Sequence, residues 1–279
     1  MPAAFQSVSV SLSNGKKFDL RVPAPGPDGR LDQDEEWCEV QLDGEWQRFR
    51  FHDYHEIYNV PGLYETIFYE MLECNSPERV VGLLSDVMQE QGAETDELKV
   101  LDVGAGNGIV AQVLKESGAA EIVGVDIIPE AKDAALRDRS EVYEDYKVAD
   151  LTNLPEDHEE DLRDANLNCL TCVAALGYGD IPDAAFLKAL DLIETPGWLA
   201  FNIKESFLSD SDPHGFNDLV RRLAADEVIR LEAYRRYQHR LSVAGEPLHY
   251  LAVVARKLKD VPDKYLQPHA DAKAATEQD

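Results

Sequence analysis

Basic residues are scarce in this sequence of 279 residues: 27 lysines and arginines stand against 54 aspartates and glutamates, giving a formal net charge of −27. So acidic a chain repels the phosphate backbone of DNA and RNA, which disfavours a nucleic acid as substrate or partner. The charge suits a small substrate that is neutral or cationic. It also suits an acidic surface that serves solubility or adaptation to salt, and we favour this second explanation.

Long apolar runs and cysteines are also few. No stretch reaches the roughly 18 uninterrupted apolar residues of a membrane span, and the N-terminus lacks the basic and then apolar pattern of a secretion signal. We therefore expect a soluble, cytoplasmic protein without a membrane partner. Of four cysteines, only Cys169 and Cys172 lie close together. Residues three apart on a strand point to opposite faces, and the further ligands of a zinc site are missing, so we expect buried thiols and no metal.

The most informative stretch is a short apolar run that ends in three glycines at alternate positions. The run covers residues 100–103, and the glycines are Gly104, Gly106 and Gly108. An apolar, β-branched run of this kind predicts a buried parallel strand. Apolar residues at helical spacing from Ile109 onward predict a helix directly after the glycines. A strand, a glycine turn and a helix together predict a nucleotide-binding loop, because glycine lets the backbone approach a ligand closely.

The spacing of these glycines distinguishes between cofactors. Dinucleotide-binding loops read Gly-x-Gly-x-x-Gly, whereas this loop reads Gly-x-Gly-x-Gly, with an acid two residues before the first glycine. The segment from Leu101 to Gly108 resembles motif I of the class I S-adenosylmethionine-dependent methyltransferases. In that family the acid and the glycine loop surround the amino-acid end of the cofactor. The cofactor-binding positions that the resemblance implies here are Asp102, Gly104, Ala105, Gly106, Asn107 and Gly108.

Two further strand ends are similar to the next two motifs of that family. The apolar run over residues 121–126 ends in an acid, and an acid at the tip of the second strand can accept hydrogen bonds from both ribose hydroxyls of a nucleoside. The segment 146–151 resembles the third motif, whose acid contacts adenine. The cofactor contacts implied at these two ends are Asp126, Ile127, Asp150 and Leu151.

The rest of the chain alternates strand and helix, which predicts a parallel sheet covered on both faces. Two long strands over residues 228–241 and 248–258 add a terminal antiparallel hairpin. We therefore predict an α/β, Rossmann-like, doubly wound sheet, with the seven strands that the resemblance implies. The expected units are a β-rich N-terminal subdomain (1–54), a helical lid or linker (55–97), the methyltransferase core (98–260) and a polar, disordered tail (261–279).

The N-terminal subdomain carries no motif that identifies a ligand. Its alternation of apolar and polar residues and its Asp43-Gly44 turn predict hairpins, which could cover the site, mediate a homodimer or brace the core. In many class I enzymes a tyrosine-bearing segment before the core lies over the cofactor, so the resemblance makes Tyr54 and Tyr58 candidate cofactor contacts. The same tyrosines could instead form a helical face that packs on the core. Cys172, at the end of the fourth core strand, is a further candidate contact.

The methyl acceptor is less well defined. Enzymes that methylate exocyclic or amide nitrogen often carry Asn/Asp-Pro-Pro-Tyr/Phe after the fourth strand, but residues 172–180 read Cys-Val-Ala-Ala-Leu-Gly-Tyr-Gly-Asp. This segment is more similar to the family's small-molecule members. Catalytic candidates near the strand ends are Tyr178, Glu205 and His239. A solvated rim would explain Glu205 equally well, and a basic surface stretch would explain His239.

The predicted function is S-adenosylmethionine-dependent methyl transfer to a small molecule, at an acceptor atom that stays open. One alternative is an NAD-dependent oxidoreductase, which the glycine spacing disfavours. The other is a regulatory protein that binds S-adenosylmethionine without catalysis.

Overall fold

The structure is a computed structural model that describes residues 5–11, 17–23, 33–176, 180–205 and 216–266. Its main sheet has seven strands in the order β10-β11-β9-β8-β5-β6-β7, and a second sheet has four strands in the order β1-β2-β3-β4. The strands are β1 Phe5–Ser11, β2 Lys17–Pro23, β3 Trp37–Leu42, β4 Glu45–Arg50, β5 Lys99–Val103, β6 Glu121–Asp126, β7 Asp145–Val148, β8 Cys169–Cys172, β9 Gly197–Lys204, β10 Ile229–Leu241 and β11 Pro247–Lys257.

Helices cover the main sheet and link its strands. The helices are α1 Tyr54–Asn59, α2 Leu63–Glu65, α3 Ser76–Glu90, α4 Ile109–Glu116, α5 Pro129–Asp138, α6 Glu156–Asp164, α7 Asp183–Leu192, α8 Phe216–Ala225 and α9 Asp263–Leu266. A π-helical turn, Thr66–Met71, continues α2. None of these helices, within the described ranges, combines the length and apolar character needed to cross a bilayer.

The main sheet confirms the predicted Rossmann-like fold. Strands β5 to β9 pair in parallel, and β11 pairs antiparallel with both β9 and β10. The terminal hairpin is therefore inserted so that β11 lies beside β9 and β10 forms the edge. Because the parallel strands all end on one side, the loop after β5 and the ends of β6, β7 and β8 share one edge of the sheet.

Two apolar clusters cover the opposite faces of the main sheet. Leu101 and Val103 belong to one cluster, and Val100 belongs to the other, as the alternation along a strand requires. Cys172 and Cys169 are divided between the two clusters in the same way, and all four cysteines are free thiols. No group of three or more potential metal ligands occurs within the described residues.

The four-stranded sheet packs on the helical segment that follows it. A third apolar cluster joins residues of β2, β3 and β4 to residues 57–72, with the Phe51 and Phe68 rings edge to face at 5.5 Å. Buried Glu36 also forms an ion pair with Arg240 of β10, at 2.6 Å. Of the roles considered for residues 1–54, bracing against the core is therefore present.

The polar tail departs from its prediction over its first residues. The chain after β11 keeps Val261 buried and forms helix α9, and the Tyr265 hydroxyl donates to Asp226 at 2.7 Å. This part of the tail is structured because Val261 and Tyr265 pack on the core cluster. Polar residues surround these two, so the composition of the segment did not indicate the packing. Residues 267–279 lie outside the described residues.

Candidate functional site

The glycine loop lies between the end of β5 and the start of α4. Gly104 and Gly106 have positive φ angles of 68° and 54°. A Cβ on Gly104 would lie 2.7 Å from the Cβ of Ala175, and one on Gly106 would lie 2.6 Å from the hydroxyl of Tyr58. The backbone N–H of Gly104 donates to the Val125 carbonyl at 2.9 Å. Glycine is therefore required at both positions, by backbone conformation and by close neighbours.

Asp102 lies beneath this loop and is not among the residues that line the cavity. Its side chain is buried and accepts hydrogen bonds from Thr171, at 2.7 Å, and from Tyr143, at 2.8 Å. Tyr143 also reaches the Ala105 carbonyl at 3.2 Å, so Asp102 supports the loop from below. Burial raises the pKa of Asp102 to about 6. Asp102 therefore has a supporting position beneath the loop, and its contact with the cofactor stays a prediction.

Two carboxylates lie at neighbouring strand ends: Asp126 is the last residue of β6, and Asp150 follows β7. The Asp126 oxygens accept from the backbone N–H groups of Gly106, at 2.9 Å, and Ile128, at 3.0 Å. Burial raises the pKa of Asp126, opposed by these backbone hydrogen bonds. Asp150 is exposed, and its Oδ1 accepts from both the N–H and the hydroxyl of Thr152, at 2.8 and 2.7 Å. Within the described residues its Oδ2 has no hydrogen-bond partner.

A cavity of about 270 Å³ lies over the glycine loop at the edge where the parallel strands end. It is lined by most of the predicted cofactor-binding residues, which the fold brings together from four segments. Those residues are Tyr54, Tyr58, Gly104, Ala105, Gly106, Asn107, Asp126, Ile127, Asp150 and Leu151. Gly108 instead caps the start of α4 with a positive φ of 85°.

Aromatic side chains from the segment before the core form one wall of the cavity. Tyr54 and Tyr58 are stacked with ring centroids 6.2 Å apart, and Tyr64 lies 5.0 Å from Tyr58. Burial raises the pKa of all three phenols, so they are neutral at physiological pH. Helix α1 buries Ile57 and Tyr58, so the segment both packs on its neighbours and lines the cavity. The two predictions for these tyrosines are compatible.

The remaining predicted residues are placed differently. Cys172 lies in the core cluster beneath the strand ends, does not line the cavity over the glycine loop, and has a thiol whose pKa is raised by burial. Glu205 forms an exposed ion pair with Arg236 at 3.0 Å, which is the solvated rim that the sequence left open. Tyr178 lies outside the described residues.

His239, predicted as a catalytic candidate with a basic surface stretch as the alternative, is buried against Ser76 and the Tyr250 ring, which rules out the surface alternative. It lines a smaller cavity of about 40 Å³ that adjoins the first. His52, Tyr54, Tyr64, Ala174, Ala175 and Asp180 line both cavities. The smaller one is further lined by Gln33, Phe51, Phe68, Cys74, Leu176, His239, Arg240 and Tyr250.

The sequence did not identify most of the residues around this smaller cavity. Asp180 could have been found, because it follows the fourth core strand at the edge that carries the ligand. His52 is not among the predicted site residues; its Nδ1 lies 3.5 Å from Asp180. Nothing local in the sequence indicates Gln33, Cys74 or Tyr250, which come together only through long-range packing.

Comparison with known proteins identifies the family. A family model described as a methyltransferase domain matches residues 77–244. The chain belongs to this family. Its members use S-adenosylmethionine, so the match supports the cofactor expected from the glycine loop and gives no support to an NAD-dependent oxidoreductase.

The similarity to individual methyltransferases is distant. A ribosomal protein L11 methyltransferase of Symbiobacterium thermophilum is 39% identical over 89 residues, which cover 31% of this chain and 27% of that relative. The chain thus matches about a quarter of the length of this curated relative.

Solved structures of methyltransferases share the fold. The N-methyltransferase NodS from Bradyrhizobium japonicum, in complex with S-adenosylhomocysteine, has a TM-score of 0.50 and 13% identity, covering 75% of this chain and 98% of that one. A magnesium protoporphyrin IX methyltransferase from Synechocystis, with bound S-adenosylmethionine, has a TM-score of 0.45 and 16% identity, covering 65% and 79%.

Proposed function

We propose that this protein transfers a methyl group from S-adenosylmethionine to a small-molecule acceptor. The observation that carries the proposal is the pairing of two adjoining cavities at the strand ends, the larger one lined by the glycine loop, Asp126 and Asp150. The residues of the larger cavity suit a bound nucleoside, and the smaller cavity beside it offers a separate site for the methyl acceptor.

The residues present fit the cofactor. The glycine loop leaves a cradle that side chains would fill, as the contacts of added Cβ atoms at Gly104 and Gly106 indicate. The Asp126 carboxylate accepts backbone N–H groups of Gly106, Ile127 and Ile128, and its two oxygens, with about four acceptor sites, keep capacity for the ribose hydroxyls. The unpartnered Oδ2 of Asp150 can accept the adenine amino group. Ile127, which is 61% exposed, and Leu151 offer apolar contacts to the faces of the base.

When bound, the cofactor supplies an electrophilic methyl group. The protein then has to exclude water, align the acceptor and, where the acceptor is weakly acidic, take up its proton. The tyrosine wall, Tyr54, Tyr58 and Tyr64, covers one side of the larger cavity and limits the access of water there. Asp180 lies where the two cavities meet, so its carboxylate can accept a proton or a hydrogen bond from an acceptor there.

Size and charge support a small molecule. The smaller cavity is narrow and enclosed by aromatic residues, which suits a compact group. The net charge of −27 opposes the approach of a nucleic acid.

A protein acceptor is the second candidate. The segment similar to the ribosomal protein L11 methyltransferase favours it, and an acidic surface attracts basic proteins. The match covers too little of that relative to include its whole architecture, so we rank this candidate second.

Calorimetric titration with S-adenosylmethionine, S-adenosylhomocysteine and NAD tests the proposal. We expect micromolar binding of the first two and none of NAD. A Gly106→Ala variant should lose this binding because its Cβ would meet the Tyr58 hydroxyl, and adding Tyr58→Phe should restore part of it. As a matched control, Gly44→Ala has a φ of 89° but no neighbour within 4 Å, so it should leave binding unchanged. Binding of NAD alone would overturn the proposal.

Incubation with labelled S-adenosylmethionine then separates the two acceptor classes. Label transferred to small metabolites supports the first candidate. Label transferred only to basic proteins supports the second.

A further inference from the structure

A chain of buried polar side chains lies behind the smaller cavity, and none of its members lines the larger one. Asn202 donates from Nδ2 to the Tyr237 hydroxyl at 2.7 Å, and that hydroxyl lies 2.7 Å from Ser76 Oγ. Ser76 Oγ in turn lies 2.6 Å from His239 Nδ1. Asn202 and Ser76 are fully buried and His239 is 5% exposed, so these bonds are shielded from water.

The direction of each hydrogen bond in this chain follows from its first member. The backbone N–H of Ala174 donates to Asn202 Oδ1 at 2.6 Å, which fixes the amide so that its NH₂ group faces Tyr237. An amide nitrogen only donates, so the one acceptor for the Tyr237 proton, within the described residues, is Ser76 Oγ. Ser76 Oγ also accepts from Asn202 at 3.2 Å, which fills both its lone pairs. Its own proton can reach two acceptors, the Cys74 sulfur and His239 Nδ1, and it goes to His239 Nδ1, 2.6 Å away, because an imidazole nitrogen is the stronger acceptor.

His239 is consequently held in one tautomer. Burial lowers its pKa well below the ordinary value, and the neighbouring Arg240 charge acts in the same direction, so the ring is neutral. A neutral imidazole that accepts at Nδ1 carries its proton on Nε2. Within the described residues Nε2 has no hydrogen-bond partner, and the ring lines the smaller cavity. The smaller cavity is thus supplied with a hydrogen-bond donor, and the catalytic role of His239 stays a prediction.

The groups around His239 carry no unbalanced positive charge. Arg240 pairs with Glu36 at 2.6 Å and donates its other nitrogen to the Leu241 carbonyl at 2.7 Å. The Tyr250 ring, 4.1 Å from the His239 ring, and the Cys74 thiol, 3.8 Å from Nδ1, have pKa values raised by burial and are neutral.

On the opposite wall His52 Nδ1 lies 3.5 Å from the Asp180 carboxylate, so this wall offers no positive charge without a counter-charge. An anion entering the smaller cavity would lose its hydration without gaining a counter-charge, which is costly. An uncharged oxygen would gain a hydrogen bond without that penalty. The cavity, at about 40 Å³, has space for about three water-sized groups, enough for a carbonyl or amide group.

We propose that the smaller cavity binds an uncharged carbonyl-type oxygen of the methyl acceptor, to which His239 donates a hydrogen bond from Nε2. This inference rests on the proposed function for the identity of the molecule that carries the oxygen. His239 is a residue that determines acceptor specificity, and Ser76, Tyr237 and Asn202 are positioning residues that act through it.

Nuclear magnetic resonance of the full chain, labelled with ¹⁵N-histidine and saturated with S-adenosylhomocysteine, tests the tautomer directly. We expect a protonated Nε2 and an unprotonated Nδ1 for His239 from pH 5.5 to pH 8, with assignment by His239→Gln. In Ser76→Ala the Nδ1 nitrogen loses its donor, so the ring should become a mixture of tautomers. A protonated Nδ1 in the unaltered protein would overturn the proposal.

Acetamide and acetate serve as isosteric probes, one neutral and one anionic, followed through the amide signals of Ala174 and Ala175. We expect acetamide to bind at least about tenfold more tightly than acetate. His239→Gln keeps a donor near the Nε2 position and should bind acetamide within about threefold of the unaltered protein, whereas His239→Leu should lose about tenfold or more. The exposed His55→Gln is the matched control and should change nothing.

Two results would overturn the assignment: equal or tighter binding of acetate, or unchanged binding of acetamide to His239→Leu. Failure of S-adenosylhomocysteine to bind in calorimetry would overturn the proposed function alone. The tautomer and the probe affinities would then still be measured on the protein without it.

Discussion

The larger cavity takes Asn107, Asp126 and Asp150 from three short segments that each follow a core strand, whereas the polar groups that line the smaller cavity but not the larger one include Gln33, His239, Arg240 and Tyr250. In the larger cavity, backbone conformation and strand order place the functional atoms. In the smaller one, an ion pair and a hydrogen-bond chain between distant residues place them.

The difference teaches how tolerant each site is to change. A cavity formed by a loop with fixed backbone angles depends on a few positions in one segment. A cavity formed by long-range side-chain contacts depends on buried polar groups that must all stay paired. The two cavities should therefore respond separately to substitution, and the following predictions test that separation.

The largest effect is expected from Glu36→Gln, on the side of the smaller cavity. The substitution keeps the shape of the side chain but leaves the Arg240 guanidinium buried without its counter-charge. The free energy of unfolding should fall by about 3–5 kcal/mol, measured by urea denaturation.

The neighbouring Glu35→Gln, at an exposed position, should change the free energy of unfolding little. Calorimetry below the unfolding transition should give an unchanged affinity for S-adenosylhomocysteine in Glu36→Gln. A parallel loss of that affinity would show that the two cavities are not independent.

Asp102→Asn should alter the pH dependence of stability. The pKa of Asp102 is about 6 in the folded protein against an ordinary 3.8, so the folded state holds the proton more tightly and the free energy of unfolding falls as the pH rises between those values. This decline, on the order of 3 kcal/mol, should be missing in the variant. Compared with the unaltered protein, the variant should therefore fare better at pH 7 than at pH 4.

Urea denaturation of both proteins at the two pH values measures this difference. Thr171→Val removes a hydrogen bond that lowers the pKa of Asp102, so it should extend the decline to higher pH. Parallel pH curves for Asp102→Asn and the unaltered protein would contradict the buried carboxyl beneath the loop.

Asp126→Ala should weaken binding of S-adenosylmethionine about 100-fold, because two charge-assisted hydrogen bonds are removed at about 1.5 kcal/mol each. Calorimetry measures the change. Asp133→Ala, an exposed position on α5, is the matched control, and equal affinities of Asp126→Ala and the control would refute the ribose assignment.

Asp150→Ala should have the smallest effect, a loss of about tenfold in the same titration, because one hydrogen bond at an exposed position is removed. Thr152→Ser keeps both groups that orient Asp150 and should bind as the unaltered protein does. If Asp150→Ala binds equally well, the adenine amino group is recognised elsewhere.

Much of the fold and of the larger cavity could be predicted from the sequence. The apolar run before Gly104, the acid at Asp126 and the acid at Asp150 each stand at a strand end, and parallel strands bring their ends together whatever their separation along the chain. The exceptions are instructive. Asp102 carries the motif but lies under the loop, because the pleat of a buried strand turns its side chain away from the ligand edge.

The sequence by itself determined the parallel sheet, the glycine loop and the cofactor class, because these depend on local spacing and on the period of apolar residues. Only the tertiary structure decided the smaller cavity, the burial of His239 and the direction of its hydrogen bonds. Those depend on contacts such as Ser76 with His239, which join segments more than 160 residues apart along the chain. No local pattern records such a contact, since its energy arises from desolvation and pairing that exist only after the chain has folded.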